Sequence, residues 1–280
     1  MAPVPQSLVG SLPRFFLLTY AVTWTCFIAA AALLRSFAEA APGLAGLSSL
    51  LLLLGTFAPS LVALWLTARA EGRPGVLALL RRLLEWEVGA RWYVFAVGYM
   101  AAIKLTVALA YRITTGAWPR FGKEAWYVIM AAIVFSTFVQ AGEEIGWRGY
   151  ALPRLAARLG FARGSVLLGV IWALWHLPLF FIPGVDKQGQ SFPVFVLQVT
   201  AMSVALAWLY MHTNGSLLLT MLMHSAVNQT KDIVPSIVPN ATEPFALSSS
   251  LVAWLTVAFL WLCAGYFLVR MSRADITRPG

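Results

Sequence analysis

The sequence predicts an all-α, polytopic transmembrane bundle of about eight helices. The 280-residue chain is 60% hydrophobic and only 11% charged, whereas an average soluble domain carries roughly 25% charged residues. Its polar residues form short strips between apolar runs that are long enough to cross roughly 30 Å of hydrocarbon. Because no stretch remains for a separate soluble domain, we interpret residues 1–280 as one integral membrane domain.

Eight apolar runs define the predicted spans. They are residues 15–34, 47–67, 93–111, 126–144, 165–182, 192–211, 216–230 and 247–269. The first run has about 20 residues, which is too long for the hydrophobic region of a signal peptide and long enough for an uncleaved span. The seventh run is the shortest, and only Asn214 and Gly215 separate it from the sixth. Between the second and third spans, residues 76–86 have apolar residues at helical spacing beside two arginines, which predicts a helix on the membrane surface.

Basic residues are divided unevenly between the two sets of loops. The richer set holds Arg69, Arg73, Arg81, Arg82, Arg91, Arg154, Arg158, Arg163, Arg270, Arg273 and Arg278. The poorer set holds Arg35, Arg112, Arg120, Lys123, Lys187 and Lys231. Positively charged loops stay in the cytoplasm, so both termini are predicted to be cytoplasmic, and the membrane would be the plasma membrane in a bacterium.

The formal net charge of +9 comes largely from residues that flank apolar segments. A nucleic-acid-binding protein instead gathers its basic residues on one soluble face. The predicted partner of these charges is therefore the lipid bilayer, and no nucleic acid is expected.

A few ionisable side chains fall inside or at the ends of the predicted spans, where they are costly and mark a functional site by default. They are Glu143, Glu144, Arg148, His176, His224 and Lys104. Glu144 and Arg148 are four residues apart, so they share one helix face and are predicted to pair. Glu143 is rotated from Glu144 by about 100°. It is predicted to face a cavity as a general base, near the inner leaflet where the fourth span ends.

Two histidines extend this set of polar residues. His176 lies four residues after Trp172, and His224 lies four residues before Asn228, so each pair shares a helix face. Either histidine alone could serve packing or an interhelical hydrogen bond. Together with Glu143, they supply the groups needed to activate a water and to stabilise the oxyanion formed when it attacks an amide.

Other chemistries are disfavoured by what the sequence lacks. It has no HExxH motif for a zinc protease and no nucleophile-elbow motif for a serine enzyme. Its three aspartates lie outside the predicted spans, at Asp186, Asp232 and Asp275. A transporter that relays protons through Glu143 and the histidines would be favoured by inverted repeats, which the sequence does not show.

Three motifs in this order resemble the CPBP family of intramembrane endopeptidases. The family comprises type II CAAX prenyl proteases and bacterial relatives linked to bacteriocin processing and immunity. The motifs are Glu-Glu-x-x-x-Arg, an aromatic residue followed by x-x-x-His, and His-x-x-x-Asn, between residues 126 and about 230. They fall at Glu143, Glu144, Arg148, Trp172, His176, His224 and Asn228. The second motif usually begins with Phe, so Trp172 keeps an aromatic wall but alters the shape of the pocket.

The resemblance implies a catalytic core at about 126–230. Glu143 would activate the attacking water with His176, while His224 and Asn228 would hold that water or the oxyanion. Three further residues would support this site: Glu144, Arg148 and Trp172. The substrate would be a peptide or a membrane protein, with or without an attached lipid.

Two questions stay open in the sequence. If a divalent metal such as zinc takes part, its candidate ligands are Glu143, His176 and His224, although these residues lack a known zinc spacing. The alternative from another functional class is a non-proteolytic immunity or scaffold protein of the same fold. Loss of the glutamates would favour that alternative, and both glutamates are present.

Overall fold

The structure is a computed structural model that describes residues 11–37, 42–182, 184–185, 187–230, 233–234 and 243–276. These residues are mostly helical and contain no strand. Several residues named above lie outside the described part of the chain: Asp186, Lys231, Asp232 and Arg278, together with the side chain of Arg35.

Nine α-helices form the described part of the chain. In order they are α1 Leu12–Phe37, α2 Pro42–Arg81, α3 Ala90–Thr115, α4 Trp126–Val139, α5 Ala141–Glu144, α6 Leu152–Trp175, α7 Phe192–His212, α8 Leu217–Gln229 and α9 Leu251–Ile276. A π-helical segment, Ile145–Ala151, joins α5 to α6. Short 3-10 turns follow α2 at Arg82–Leu84 and α6 at Leu177–Phe181.

Six helical runs of the described chain are long and apolar enough to cross a membrane. They are Leu12–Leu34, Gly46–Leu84, Ala90–Thr115, Trp126–Phe181, Phe192–His212 and Leu251–Asp275. The predicted all-α, multi-pass membrane fold is therefore confirmed. The seventh predicted span is the 13-residue helix α8, which is too short to cross the hydrocarbon core alone.

The predicted fourth and fifth spans belong to one helical run that folds back on itself. Gly160 has a φ of 77°, a left-handed conformation that glycine adopts readily. The fold-back is required because Trp172 contacts Glu143, although a straight helix would separate two residues 29 positions apart by about 43 Å. The expectation that the helix ends just after Glu143 is wrong, because the helical run continues for 17 residues to Gly160.

The surface helix predicted at residues 76–86 corresponds to the last part of α2 and the 3-10 turn that follows it, Arg82–Leu84. A break at Gly72, with a φ of 64°, separates it from the spanning part of the helix. Leu77 and Leu84 are exposed, while Leu79 is buried. One apolar side is thus left for lipid, as an interfacial helix requires.

Glycines bring α2 against the segment that carries the carboxylates. A Cβ at Gly146 would lie 2.5 Å from the backbone carbonyl carbon of Pro59, and a Cβ at Gly142 would lie 2.8 Å from the ring of Phe57. Small residues allow this close approach of helix backbones in membranes. Ser60 on α2 also donates a hydrogen bond to the carbonyl of Ala141 at 2.6 Å. These contacts fix the position of α5 and of the π-helical segment.

Candidate active site

Glu143 lies on α5 with only 7% of its surface exposed. The indole N–H of Trp172, on α6, donates a hydrogen bond to its Oε2 at 2.7 Å. The fold-back at Gly160 allows this contact, because it brings the part of α6 that follows Gly160 back alongside α5. The sequence indicated only an aromatic wall at Trp172, and a phenylalanine at this position would have no N–H to donate.

Glu144 joins two partners at one oxygen. Its Oε1 lies 2.7 Å from a guanidinium nitrogen of Arg148, and both side chains are fully buried. The pair that the four-residue spacing predicts is thus present. The same Oε1 lies 2.9 Å from Nδ1 of His224, on α8. Glu144 therefore links a cation on its own helical run to an imidazole on another helix.

His176 caps the C-terminus of α6, whereas the sequence placed it halfway along a helix. That expectation is wrong because α6 ends at Trp175. Nδ1 of His176 lies 2.8 Å from the carbonyl oxygen of Trp172. Since a carbonyl only accepts, Nδ1 carries the proton, and a neutral ring leaves Nε2 as its acceptor. The ring packs edge-on against Trp175 and Phe195, with centroid distances of 4.6 and 5.3 Å.

Trp172 contacts most of the predicted site. Besides its hydrogen bond to Glu143, its ring centroid lies 5.7 Å from that of His176 and 5.2 Å from that of His224. The guanidinium carbon of Arg148 lies 4.1 Å from the same centroid, which is cation–π geometry. The structure thus gathers two carboxylates, one guanidinium and two imidazoles around one indole.

Asn228 is placed differently from the other predicted site residues. It lies one helical turn beyond His224 on α8, but it is exposed while His224 is only 5% exposed. Within the described part of the chain, no hydrogen bond involves the side chain of Asn228. The shared helix face predicted for these two residues therefore does not give them the same surroundings.

The π-helical segment Ile145–Ala151 was not predicted. All seven of its residues are buried, and π-helical turns occur frequently at functional sites. A sequence signal did exist, since Gly142, Gly146 and Gly149 recur at helical spacing. A Cβ at Gly149 would lie 2.8 Å from a methyl group of Leu79. Glycines at this spacing indicate a face packed closely against another helix.

The candidate metal ligands are not arranged as a metal site. Within the described residues, no three His, Cys, Asp or Glu side chains are grouped closely enough to hold an ion. Nδ1 of each site histidine already faces an oxygen, at Trp172 for His176 and at Glu144 for His224. Metal-ligating histidines commonly donate their other ring N–H in this way, so these bonds leave Nε2 of each ring as its remaining donor atom for a metal. We derive no step through a metal.

Lys104 lies apart from this cluster. It is 1% exposed, and its Nζ donates to the carbonyl of Val234 at 2.7 Å. It anchors the chain that follows α8 onto α3. A structural role of this kind accounts for a buried lysine without assigning it to the chemistry.

Comparison with known proteins agrees with the motifs. Residues 124–230 match the family model described as type II CAAX prenyl endopeptidase Rce1-like. The CAAX prenyl protease 2 of Methanococcus maripaludis is 24% identical over 236 residues, which cover 79% of this chain and 83% of that protein. The family is one of membrane endopeptidases, which supports the predicted class of enzyme. Residues 124–230 therefore resemble an Rce1-like type II CAAX prenyl endopeptidase domain, and the family resemblance that the three motifs predicted is confirmed.

Proposed function

We propose that this chain is an intramembrane endopeptidase that hydrolyses a peptide bond with a water activated by Glu143. The proposal rests on one observation, the set of contacts around the Glu143 carboxylate. It is buried, its Oε2 accepts the Trp172 N–H, and Trp172 also packs against both site histidines. A proton acceptor held in one orientation beside further polar groups is the arrangement that general-base catalysis needs.

The reaction begins with a water beside Oε1 of Glu143, since Oε2 is occupied by the indole N–H. Glu143 takes one proton as the water oxygen bonds to the substrate carbonyl carbon. His176 helps to orient the water through Nε2, because its Nδ1–H is committed to the Trp172 carbonyl. Collapse of the tetrahedral intermediate then breaks the C–N bond, and the proton held by Glu143 passes to the leaving amine.

His224 and Asn228 are assigned to the water or to the oxyanion. His224 directs its Nδ1–H at Glu144, so its neutral ring offers only an acceptor at Nε2, which suits holding the water. It donates to an oxyanion only when both ring nitrogens carry protons. The side-chain amide of Asn228 is a donor in any state. Because Asn228 is exposed, it is available to a substrate that enters the site.

The substrate class and the setting are proposed by analogy. The archaeal relative is named a CAAX prenyl protease, which indicates a prenylated peptide or protein. A leader peptide or a membrane-protein segment fits the same chemistry. We place the enzyme in the plasma membrane, if the source is bacterial, with both termini in the cytoplasm.

The test is Glu143→Gln, which removes the proton acceptor and keeps the size of the side chain. Purified variants in lipid are assayed with internally quenched peptides, one carrying a farnesylated CAAX sequence and one unprenylated. Membrane proteomes of cells carrying the wild type or Glu143→Gln extend the search to natural substrates. We expect cleavage by the wild type and none by Glu143→Gln, with equal amounts of folded protein.

The matched control is Glu87→Gln, because Glu87 is exposed in the connection between α2 and α3. This control should cleave like the wild type. Wild-type rates in Glu143→Gln would disprove the role of Glu143. If the wild type cleaves neither peptide and the two proteomes are identical, the alternative of a non-proteolytic immunity or scaffold protein is supported.

A further inference from the structure

Trp175, the last residue of α6, packs against His176. The two ring centroids lie 4.6 Å apart, with an angle of 86° between the planes, which is a favoured arrangement for aromatic rings. Trp175 is 1% exposed, whereas His176 is half-buried. The bond from Nδ1 of His176 to the Trp172 carbonyl fixes one atom of the imidazole, but a hydrogen bond at one atom does not by itself set the tilt of the ring. The indole of Trp175 limits that tilt, and with it the direction of Nε2.

The indole of Trp175 is held by hydrogen bonds that cross three helices. Its N–H donates to the hydroxyl oxygen of Thr23, on α1, at 2.8 Å, and that hydroxyl donates to the carbonyl of Gly55, on α2, at 2.8 Å. A hydroxyl has one proton to give, so Gly55 takes the proton and a lone pair of the same oxygen faces the indole. Thr23 is 0% exposed, so bulk water does not compete for either bond. We call Trp175, Thr23 and Gly55 the relay.

Close packing fixes the geometry of the relay. A Cβ at Gly55 would lie 2.6 Å from the ring of Phe27, so the glycine allows α2 to approach α1 at this point. The ring of Phe27 lies against Trp175 with a centroid distance of 5.9 Å, and the ring of Trp147, in the π-helical segment, lies against it at 5.8 Å. Both of these neighbours are buried. The indole is therefore confined by rings from α1 and from the π-helical segment while its N–H points at Thr23.

A second contact between α1 and Trp175 ends on the main chain. The indole N–H of Trp24 donates to the carbonyl of Trp175 at 3.1 Å. The last carbonyls of a helix lack partners within it, so this bond satisfies a carbonyl at the end of α6. Trp24 and Thr23 thus join the same two helices at the same residue, but Trp24 acts on the backbone and Thr23 acts on the indole.

The relay reaches beyond the motifs that predict the site. Thr23 and Gly55 lie outside residues 124–230, the part of the chain that matches the family model. Their link to the site runs through the ring of Trp175, which contacts His176. A role for them in the reaction would therefore be indirect, through the orientation of a site histidine.

We infer that Thr23 and Trp175 are positioning residues for the hydrolysis. The relay holds the ring of Trp175, and that ring keeps Nε2 of His176 directed at the water beside Glu143. This inference rests on the proposed endopeptidase function. Because a small misplacement of a reacting group slows the chemical step, and the buried relay does not contact substrate, its loss should lower kcat and leave KM unchanged.

The first test is Thr23→Val, which keeps the shape of the side chain and removes the hydroxyl. Purified variants in lipid are assayed with the same quenched peptides as Glu143→Gln. We expect kcat to fall by about 3- to 10-fold, as the loss of one neutral hydrogen bond predicts, with KM unchanged. Thr23→Ser keeps the hydroxyl and should restore the wild-type kcat. The matched control is Trp24→Phe, which removes the backbone contact and should retain nearly all of the activity.

A wild-type kcat in Thr23→Val would overturn the inference, and so would an equal fall in Thr23→Ser or Trp24→Phe. Trp175→Phe is a second variant, so that the result does not depend on the folding of Thr23→Val. It keeps a ring beside His176 but removes the N–H, and it should also lower kcat with KM unchanged. If both variants act through the same hydrogen bond, adding Thr23→Val to Trp175→Phe should lower kcat by less than about twofold further. Losses that multiply would mean that the two residues act separately, which contradicts the relay.

A spectroscopic measurement separates this inference from the proposed function. The chain has three histidines, so proton–nitrogen spectra of protein with isotope-labelled histidine contain three imidazoles, and His176→Gln identifies the signal of His176. Since the ring current of Trp175 acts on His176, Thr23→Val should shift that signal and leave the signal of His212, at the end of α7, in place. An unshifted His176 signal would overturn the inference whether or not a peptide is cleaved. A shifted signal in a protein that cleaves nothing would contradict the proposed function and still show that the relay orients His176.

Discussion

Two arginine clusters lie along the same helical run, and they differ in how completely they are removed from water. At the site, Arg148 and Glu144 pair at 2.7 Å with neither side chain exposed. In the second cluster, Arg154 and Glu71 lie 3.4 Å apart, and the side chain of Glu71 is 34% exposed. Water can replace Arg154 as a partner of Glu71, whereas Glu144 is fully buried and keeps His224 as its partner, without water, if Arg148 is lost.

The clusters also differ in the partners that surround each arginine. Arg154 donates to the carbonyl of Tyr150 at 3.0 Å, and its guanidinium carbon lies 3.6 Å from the centroid of the Tyr150 ring. These neutral partners remain if Glu71 is lost. Arg148 has Glu144 as its hydrogen-bonded partner and the face of Trp172 as its aromatic neighbour. The comparison predicts that the carboxylate and the cation depend on each other at the site, and that either can be lost separately in the second cluster.

Among the variants that test this comparison, Arg148→Met is expected to lower the free energy of unfolding the most. It leaves the Glu144 carboxylate buried without its cation, which costs roughly 3 to 5 kcal/mol when one partner of a buried pair is removed. Denaturant unfolding of purified protein in detergent measures the change in the free energy of unfolding. The matched control is Arg158→Met, because Arg158 is exposed on the same helix and its loss should change stability by about 0.5 kcal/mol or less. Equal losses in both variants would remove the distinction between buried and exposed arginines.

Asn228→Ala tests whether the catalytic set extends to an exposed residue. Loss of one donor to an oxyanion typically lowers kcat by about 10² to 10³, so kcat should fall by that order with KM little changed. Gln229→Ala is the neighbouring control, since the amide of Gln229 donates instead to the hydroxyl of Ser136 at 3.3 Å. A rise in KM alone would show that Asn228 docks the substrate.

Trp172→Phe separates the hydrogen bond from the aromatic wall. The variant keeps a ring beside both histidines but removes the N–H that holds Oε2 of Glu143. A hydrogen bond to a charged group contributes about 1.5 to 3 kcal/mol, so kcat should fall by about 10- to 100-fold with KM unchanged.

Trp24→Phe is the matched control for this variant. It makes the same substitution at the same depth, but its N–H donates to a neutral carbonyl, that of Trp175. This control should retain nearly all of the activity. Similar losses in the two variants would mean that Trp172 acts through packing and does not orient Glu143.

Sequence reasoning predicted the contacts that one helix contains and missed those that need a second helix. The Glu144–Arg148 pair follows from a spacing of four residues, which a π-helical turn changes too little to break. The bond from His224 to Glu144 joins residues 80 positions apart. No local sequence pattern predicts that contact, because it depends on how α8 packs against α5.

The errors in helix boundaries have physical causes. Arg154 and Arg158 indicated a loop, but Arg154 is buried with Glu71 as its partner, and the helix continues to Gly160. The end of α6 had a sequence signal that the apolar pattern obscured. Pro178 follows His176 by two residues, and the residue before a proline disfavours helical geometry. The same proline lies in the 3-10 turn Leu177–Phe181 that follows α6.

Glu71→Gln is expected to cause the smallest loss of stability, and it tests the contrast between the two clusters. The substitution removes the charge that faces Arg154 at 3.4 Å, but Arg154 keeps the carbonyl and the ring of Tyr150. Partly exposed ion pairs contribute about 0.2 to 1 kcal/mol because water and salt screen them. Unfolding of Glu71→Gln at low and high salt should therefore show a loss within that range, and the loss should shrink as salt rises. Glu144→Gln, measured in the same way, should lose several times more stability without a salt dependence, since its pair is buried. A large and salt-independent loss of stability in Glu71→Gln would show that Arg154 and Glu71 depend on each other as strongly as Arg148 and Glu144 do.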